Sequence, residues 1–170
     1  MKPIPRDPRT PENVVEPLDL ERFLPFRLSV LANRVTRAVA RVYARRFELS
    51  APEWRTMAVL GRFGPMTANS VVERTAMDKV RVSRAVARLL ARNRVSRRTD
   101  PDDRRRAILD LTAEGRLVYA KVVPMVLAVE NELLSDLDAT ERDVLETVVR
   151  KLERRTAGDF GGDDDDDVEI

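Results

Sequence analysis

Between Asp78 and Thr112 the hydrophobic pattern changes its period, and this change limits what the segment can form. From Asp78 to about Arg92, apolar residues recur every three or four positions, as on one face of a helix, and Asn93 can close that helix in the left-handed conformation. The segments VSRRT and AILDLT that follow alternate as strands do, and the turn DPDDRRR joins them. The sequence therefore predicts a helix followed by a β-hairpin.

Two further helices are predicted ahead of the Asp78 helix. Ser50 and Glu53 have the spacing of a capping box and begin the first of them. Thr67 is expected to cap a short second helix, and a tight connection then leads to Asp78. A short helix, a tight connection and a longer helix in this order are typical of a helix-turn-helix.

The Asp78 helix carries an apolar stripe and a basic stripe. The apolar positions are Val82, Val86, Leu89 and Leu90, and the basic ones are Arg81, Arg84, Arg88 and Arg92. The apolar side docks the helix, which leaves the arginines either to be solvated or to bind a partner. Arginine donors match guanine edges and phosphate oxygens, so the basic hairpin that follows favours DNA as the partner. Lys79 and Ser83, near the start of this helix, could add base or phosphate contacts.

The order helix, helix, strand, turn, strand, together with DPDDRRRAILDLTAEG, resembles the winged helix-turn-helix of the MarR family of bacterial transcriptional regulators. Family members resemble D-P-x-D-R-R-S-x-x-L-x-L-T-x-x-G here, which is matched at Asp100, Pro101, Asp103, Arg104, Arg105, Leu109, Leu111, Thr112 and Gly115. The resemblance covers about residues 24–152. It implies a mainly α fold with a winged helix-turn-helix DNA-binding lobe at about 50–112, a small β-hairpin wing, and an all-α dimerisation lobe built from the N- and C-terminal helices.

The flanking segments are predicted to be helices with apolar surface to spare. One helix begins at about Asp19 or Pro25 and ends at Phe47, and another covers about 114–134 with a kink at Pro124. Asp138 and Glu141 cap a last helix, so the dimerisation helices extend over about 19–47 and 114–155. The family arrangement implies that these helices interlock in a homodimer. The dimer would present two recognition helices about one DNA turn apart to a pseudo-palindromic operator in double-stranded DNA.

The resemblance also implies roles for the hairpin turn. Arg105 would enter the minor groove, whose negative potential attracts arginine, while Asp103 would hold the wing arginines in position and Arg104 would lie near a phosphate. This chain has Arg106 where the family commonly has a small residue, so which of the three arginines reaches the groove stays open. The expected DNA-binding residues are Lys79, Arg81, Ser83, Arg84, Arg88, Arg97, Asp103, Arg104, Arg105 and Arg106.

A small effector, often aromatic or anionic, is implied as well, bound between the dimerisation helices and the DNA-binding lobe. Candidate contacts near that expected cleft are Arg27, Ser29, Asn33, Trp54 and Arg55. Each has a structural alternative. Leu49 can pack against Trp54 as a hydrophobic staple, which would place the indole in the core, and Arg55 can serve as an ion-pair partner.

Composition excludes several classes of function. The chain has no cysteine and no histidine, so it can form no disulfide and no thiol redox sensor, and a transition-metal site would need carboxylates alone. We expect no metal or other cofactor, and without a glycine-rich phosphate loop or convergent reactive side chains we expect no enzyme. No apolar run approaches the roughly 20 residues of a membrane span, and the start lacks a signal-peptide core, so we expect a cytoplasmic protein with no membrane partner.

Charge is distributed unevenly along the chain. Residues 158–170 hold seven acids and no base, so a total of +2 leaves +9 for residues 1–157. A basic body suits a polyanion partner, although both charged parts could simply be solvated. We expect a proline-rich arm at 1–18, one domain at 19–157 and a disordered acidic tail at 158–170 that either solubilises the chain or competes with phosphate for the wing arginines.

The sequence thus predicts a dimeric, sequence-specific transcriptional regulator, most simply a repressor that a small ligand releases. The alternative is an architectural protein that binds DNA by charge and shape, with an affinity nearly independent of base sequence.

Overall fold

The computed structural model describes residues 17–101, 103 and 105–159, with side chains as far as residue 156. Along the chain the elements are α1 (Leu24–Phe47), α2 (Ala51–Phe63), β1 (Met66–Thr67), α3 (Ala68–Thr75), α4 (Lys79–Ala91), β2 (Val95–Thr99), β3 (Ala107–Leu111), α5 (Ala113–Leu133) and α6 (Ala139–Asp159). The fold is mainly helical, with α3 and α4 as the helix-turn-helix and β2–β3 as the wing, as predicted. Most of the expected N-terminal arm and acidic tail lies outside the described residues.

Cap geometry confirms the predicted starts of α2 to α6, and α1 begins at Leu24. The N–H of Ser50 donates to the Glu53 carboxylate at 2.8 Å, and the N–H of Glu53 donates back to Ser50 Oγ. Asp138 and Glu141 make the same reciprocal pair, at 3.0 and 2.9 Å. Side chains that accept the N–H three residues ahead also begin α3, α4 and α5; they are Thr67, Asp78 and Thr112. Asn93 has a φ of 53°, the left-handed conformation expected after α4.

The sheet contains a strand that the sequence pattern did not predict. β1 pairs antiparallel with β3, Met66 opposite Leu109 and Thr67 opposite Ile108, so the strand order is β1–β3–β2. Two residues are too few to show an alternation of apolar and polar side chains, and for this reason β1 was missed. Because of β1, the central strand is β3, and the wing is anchored to the connection between α2 and α3.

The chain divides into two compact units at Arg37 and Ala38, inside α1. The core lies in the second unit, where α2, α4, the sheet and α5 pack together. Its buried members are Tyr43, Phe47, Leu49, Trp54, Met57, Leu60, Val71, Met77, Val82, Val86, Leu89, Val95, Leu109, Leu111, Val118 and Val122. α5 runs unbroken through Pro124.

Two helical faces are not covered by any residue that the structure describes. In the first unit, α1 exposes an apolar stripe formed by Leu24, Leu28 and Leu31. In the second unit, α6 exposes an apolar stripe formed by Val144, Leu145, Val148, Val149 and Leu152. Contiguous apolar surface of this kind marks a site of association.

The motif residues Thr112 and Gly115 join the end of the wing to the end of α4. Thr112 Oγ1 donates to the Asn93 carbonyl at 2.6 Å, and the Thr112 N–H donates to the Arg94 carbonyl at 3.1 Å. A Cβ on Gly115 would lie 1.9 Å from the Arg94 carbonyl oxygen, so only glycine fits. The family motif therefore has a packing reason at these two positions.

Within the described ranges, no helix is both long and apolar enough to cross a membrane. Nor do any three Asp or Glu side chains among those residues gather as they would around a metal ion.

Candidate nucleic-acid interface

α4 presents its predicted polar residues to solvent. Val82, Ala85, Val86 and Leu89 are buried, and they hold the helix against the core. Lys79, Arg81, Ser83, Arg84 and Arg88 are all exposed. Arg81 is already paired, since its Nε lies 3.1 Å from Oδ2 of the N-cap residue Asp78. Arg84 and Arg88 form no ion pair with any residue that the structure describes.

A groove of about 350 Å³ separates α4 from the wing. Its polar rim combines Lys79 and Ser83 of α4 with Asn69 of α3 and Arg97 of β2. Sequence reasoning did not select Asn69, although its place in the first turn of the leading helix of a helix-turn-helix could have indicated it. The structure thus brings residues from three elements to one groove.

A second concavity continues from this groove toward the wing tip. Arg97 lines both, and here it is joined by Arg105 and Arg106 together with Thr67, Asn69, Ser70 and Glu73. We call the exposed side of α4, with Arg97, Arg105 and Arg106, the α4–wing surface. Its cationic side chains are Lys79, Arg81, Arg84 and Arg88 of α4 and the three arginines of the wing.

Asp103 organises the turn of the wing by accepting hydrogen bonds from backbone N–H groups of the turn. Its Oδ1 accepts the N–H of Arg105 at 3.0 Å, and its carbonyl accepts the N–H of Arg106 at 2.9 Å. The turn is closed by the N–H of Asp100, which donates to the Arg106 carbonyl. No ion pair joins Asp103 to a guanidinium in the described part of the turn, and Arg104 lies outside it. The acid therefore holds the backbone that carries the arginines, which is a common use of aspartate in turns.

Arg92 leaves the basic stripe in which the sequence pattern placed it. Its guanidinium donates to the carbonyl oxygen of Glu48, in the connection between α1 and α2. Glu48 has a φ of 50°, so this connection turns sharply. The stripe on α4 is therefore shorter than predicted, because its last arginine ties the end of α4 to the preceding helices.

The candidate ligand contacts fall into both units of the chain. Arg27, Ser29 and Asn33 are exposed on α1 in the first unit. In the second, Trp54 is only 8% exposed. Its ring lies 5.6 Å from that of Tyr43 and stacks on that of Tyr119 at 5.9 Å. Trp54 thus lies in the core, which is the position that a hydrophobic staple with Leu49 would give it. Arg55 is exposed and acts electrostatically on the phenol of Tyr43.

Burial of this cluster predicts a loss of stability in alkali. Burial raises the pKa of Tyr43 to about 12, although Arg55 opposes the shift. The unfolded chain ionises this phenol near pH 10 and the folded chain does not, so the free energy of unfolding should fall between pH 10 and 12, by up to about 1.4 kcal/mol per pH unit. In urea unfolding, the wild type should therefore lose stability relative to Tyr43→Phe over this range, because only the wild type carries the phenol. Parallel curves for the two proteins would contradict the assignment.

A helix-turn-helix whose exposed second helix adjoins a basic wing defines a winged helix-turn-helix DNA-binding protein. The model of the MarR family matches residues 47–106. The transcriptional regulator HosA of Escherichia coli O127:H6 is 30% identical over 105 residues, which are 62% of this chain and 78% of HosA. The chain belongs to the MarR family of transcriptional regulators.

Two other similar proteins add to this comparison. The transcriptional repressor NicR of Pseudomonas putida is 29% identical over 105 residues, which are 62% of this chain but 66% of NicR. BpsR of Bordetella bronchiseptica, whose DNA binding is regulated by 6-hydroxynicotinic acid, superposes with a TM-score of 0.73 over 81% of this chain and 97% of BpsR. At 24% identity, the likeness to BpsR concerns the fold. HosA and NicR are named as regulators, not as enzymes.

Proposed function

We propose that this chain is a homodimeric, sequence-specific DNA-binding repressor that a small aromatic or anionic molecule releases from its operator. The observation that carries the proposal is the α4–wing surface, where Lys79 of α4, Arg97 of β2 and Arg105 of the wing turn line two adjoining concavities that share Arg97. In such an arrangement α4 enters the major groove while the wing reaches the neighbouring minor groove.

The uncovered apolar faces support the homodimer. The stripe on α6 runs from Val144 to Leu152 and is exposed among the described residues, and a second copy would bury it. A twofold axis would set two α4 helices about one turn of DNA apart, so the operator should be pseudo-palindromic.

The similar proteins support the repressor role and the ligand. NicR is named a repressor, and the DNA binding of BpsR responds to a hydroxylated pyridine carboxylic acid. We keep Arg27, Ser29 and Asn33 of the first unit, and separately Arg55 of the second, as predicted ligand contacts, and we give Trp54 a packing role. A ligand can release DNA only if it binds the DNA-free arrangement of the dimer more tightly than the DNA-bound one.

Selection of bound sequences from a random duplex pool tests the proposal. A specific regulator should enrich a pseudo-palindrome and bind it at least about a thousandfold more tightly than competitor DNA at fixed salt. An architectural binder would enrich nothing, although its affinity would fall with salt in the same way, because counterion release does not depend on sequence.

Arg105→Ala is expected to weaken operator binding about 30-fold, which corresponds to ~1 kcal/mol lost at each of two half-sites. The side chain is exposed at the wing tip, so the dimer and its melting temperature should be unchanged. Affinity is measured by fluorescence anisotropy with labelled operator.

Arg98→Ala is the matched control. Arg98 follows Arg97 on β2, so alternation along the strand places it on the face of the sheet away from the groove. Equal losses for the two variants would mean that total charge matters and that the position of Arg105 does not.

A further inference from the structure

We infer that Val80 is a base-reading residue that recognises the C5-methyl group of a thymine in each operator half-site. This inference rests on the proposed function and deepens it, because it states one element of the base sequence that the protein selects.

The position of Val80 on α4 is the first reason. Val82, Val86 and Leu89 are buried, and at 3.6 residues per turn the opposite side of the helix carries Val80 and Arg84. Val80 is 57% exposed, although it is a large apolar residue at the second position of the helix. The first turn of a recognition helix is the part that reaches deepest among base edges.

The neighbours of Val80 leave it to face outward. Arg81 is drawn back onto the N-cap carboxylate of Asp78, and Lys79 lines the groove beside the wing. Farther along the same outward side stand Ala87 and Ala91, both exposed. Small side chains at these positions would let the helix backbone approach the bases closely. The outward side of α4 is thus an apolar strip that Arg84 interrupts and cationic residues flank.

The chemistry of the major groove identifies the contact. Thymine presents its C5-methyl group there, whereas cytosine presents an amino donor that an aliphatic side chain cannot satisfy. Arg84 lies one helical turn from Val80, about 6 Å along the axis, and it suits the O6 and N7 acceptors of guanine. Each half-site should therefore contain a thymine within about two base pairs of a guanine.

The experiment begins with the operator selected from a random duplex pool. Each thymine in turn is replaced by deoxyuridine in both half-sites, which removes only the methyl group, and affinity is measured for the wild type and for Val80→Ala. At one thymine position, the affinity of the wild type should fall about fourfold for each half-site and roughly 15-fold for both. A fourfold loss is the effect of one buried methyl group. Val80→Ala should bind the thymine operator more weakly than the wild type by a similar factor. Replacing that thymine by deoxyuridine should not weaken the binding of Val80→Ala any further.

Deoxyuridine at thymines outside the half-sites is the control, and it should leave both affinities unchanged. Val80→Ala should fold normally, because the side chain is exposed and alanine favours helix. If the wild type is insensitive at every thymine, or if Val80→Ala keeps the full deoxyuridine effect, Val80 does not read a methyl group and the proposed function stands. A pool that yields no enriched sequence would overturn both.

Discussion

Val148→Glu is expected to reduce the protein to monomers at micromolar concentration and to lower operator affinity by at least a hundredfold. Val148 lies in the middle of the exposed stripe of α6, between Leu145 and Leu152, and is 46% exposed in the single chain. In the proposed dimer the glutamate would be buried without a partner. Such burial costs several kcal/mol for each carboxylate, and the twofold axis brings in two of them. A monomer would contact only one half-site.

Sedimentation equilibrium gives the oligomeric state, and anisotropy gives the affinity for the selected operator. Arg154→Glu places the same side chain at a polar position of the same helix, and it should leave the dimer intact. Undiminished dimerisation of Val148→Glu would show that α6 does not form the interface.

Gly115→Ala is expected to destabilise the fold by about 3 kcal/mol, the upper range for overpacking a tight site. The new Cβ would meet the Arg94 carbonyl oxygen at 1.9 Å, and that oxygen belongs to backbone that cannot swing aside as a side chain can. Either α5 moves or the connection from α4 to β2 moves. Either shift disturbs the two hydrogen bonds of Thr112 to this connection.

Urea unfolding at one protein concentration measures this loss, since the stability of a dimer depends on concentration. Glu114→Ala changes the exposed preceding residue in the same helical turn and should cost less than about 1 kcal/mol. A Gly115→Ala variant as stable as this control would show that the first turn of α5 can move away from the Arg94 carbonyl without cost.

The helix starts and the wing strands follow from the sequence because their causes are local. Ser50 reaches Glu53 and Asp138 reaches Glu141 within three residues, and no distant contact is needed to form these caps. The motif from Asp100 to Gly115 likewise combines a turn, a strand and a cap that lie next to one another along the chain. A pattern of residues can therefore predict such elements directly.

Other features depend on residues that are distant in sequence. Arg92 meets the carbonyl of Glu48, 44 residues away, and this contact removed it from the basic stripe that its spacing predicted. Asp103 was expected to position the wing arginines, and only the closed turn reveals that its carboxylate accepts the N–H of Arg105. From the sequence, Trp54 could either line a cleft or lie in the core. Its stacking on Tyr119 of α5 places it in the core.

The sequence by itself determined where α2 to α6 begin, where the wing lies and to which family the chain belongs, since capping, periodicity and motif spacing act over a few residues. Only the tertiary structure decided that β1 joins the sheet, that Asn69 and Arg97 share a groove with Lys79, and that Val80 faces outward. These facts depend on which surfaces meet across the core. Which surfaces meet is determined by the packing of several elements at once, so it cannot be predicted from any single segment.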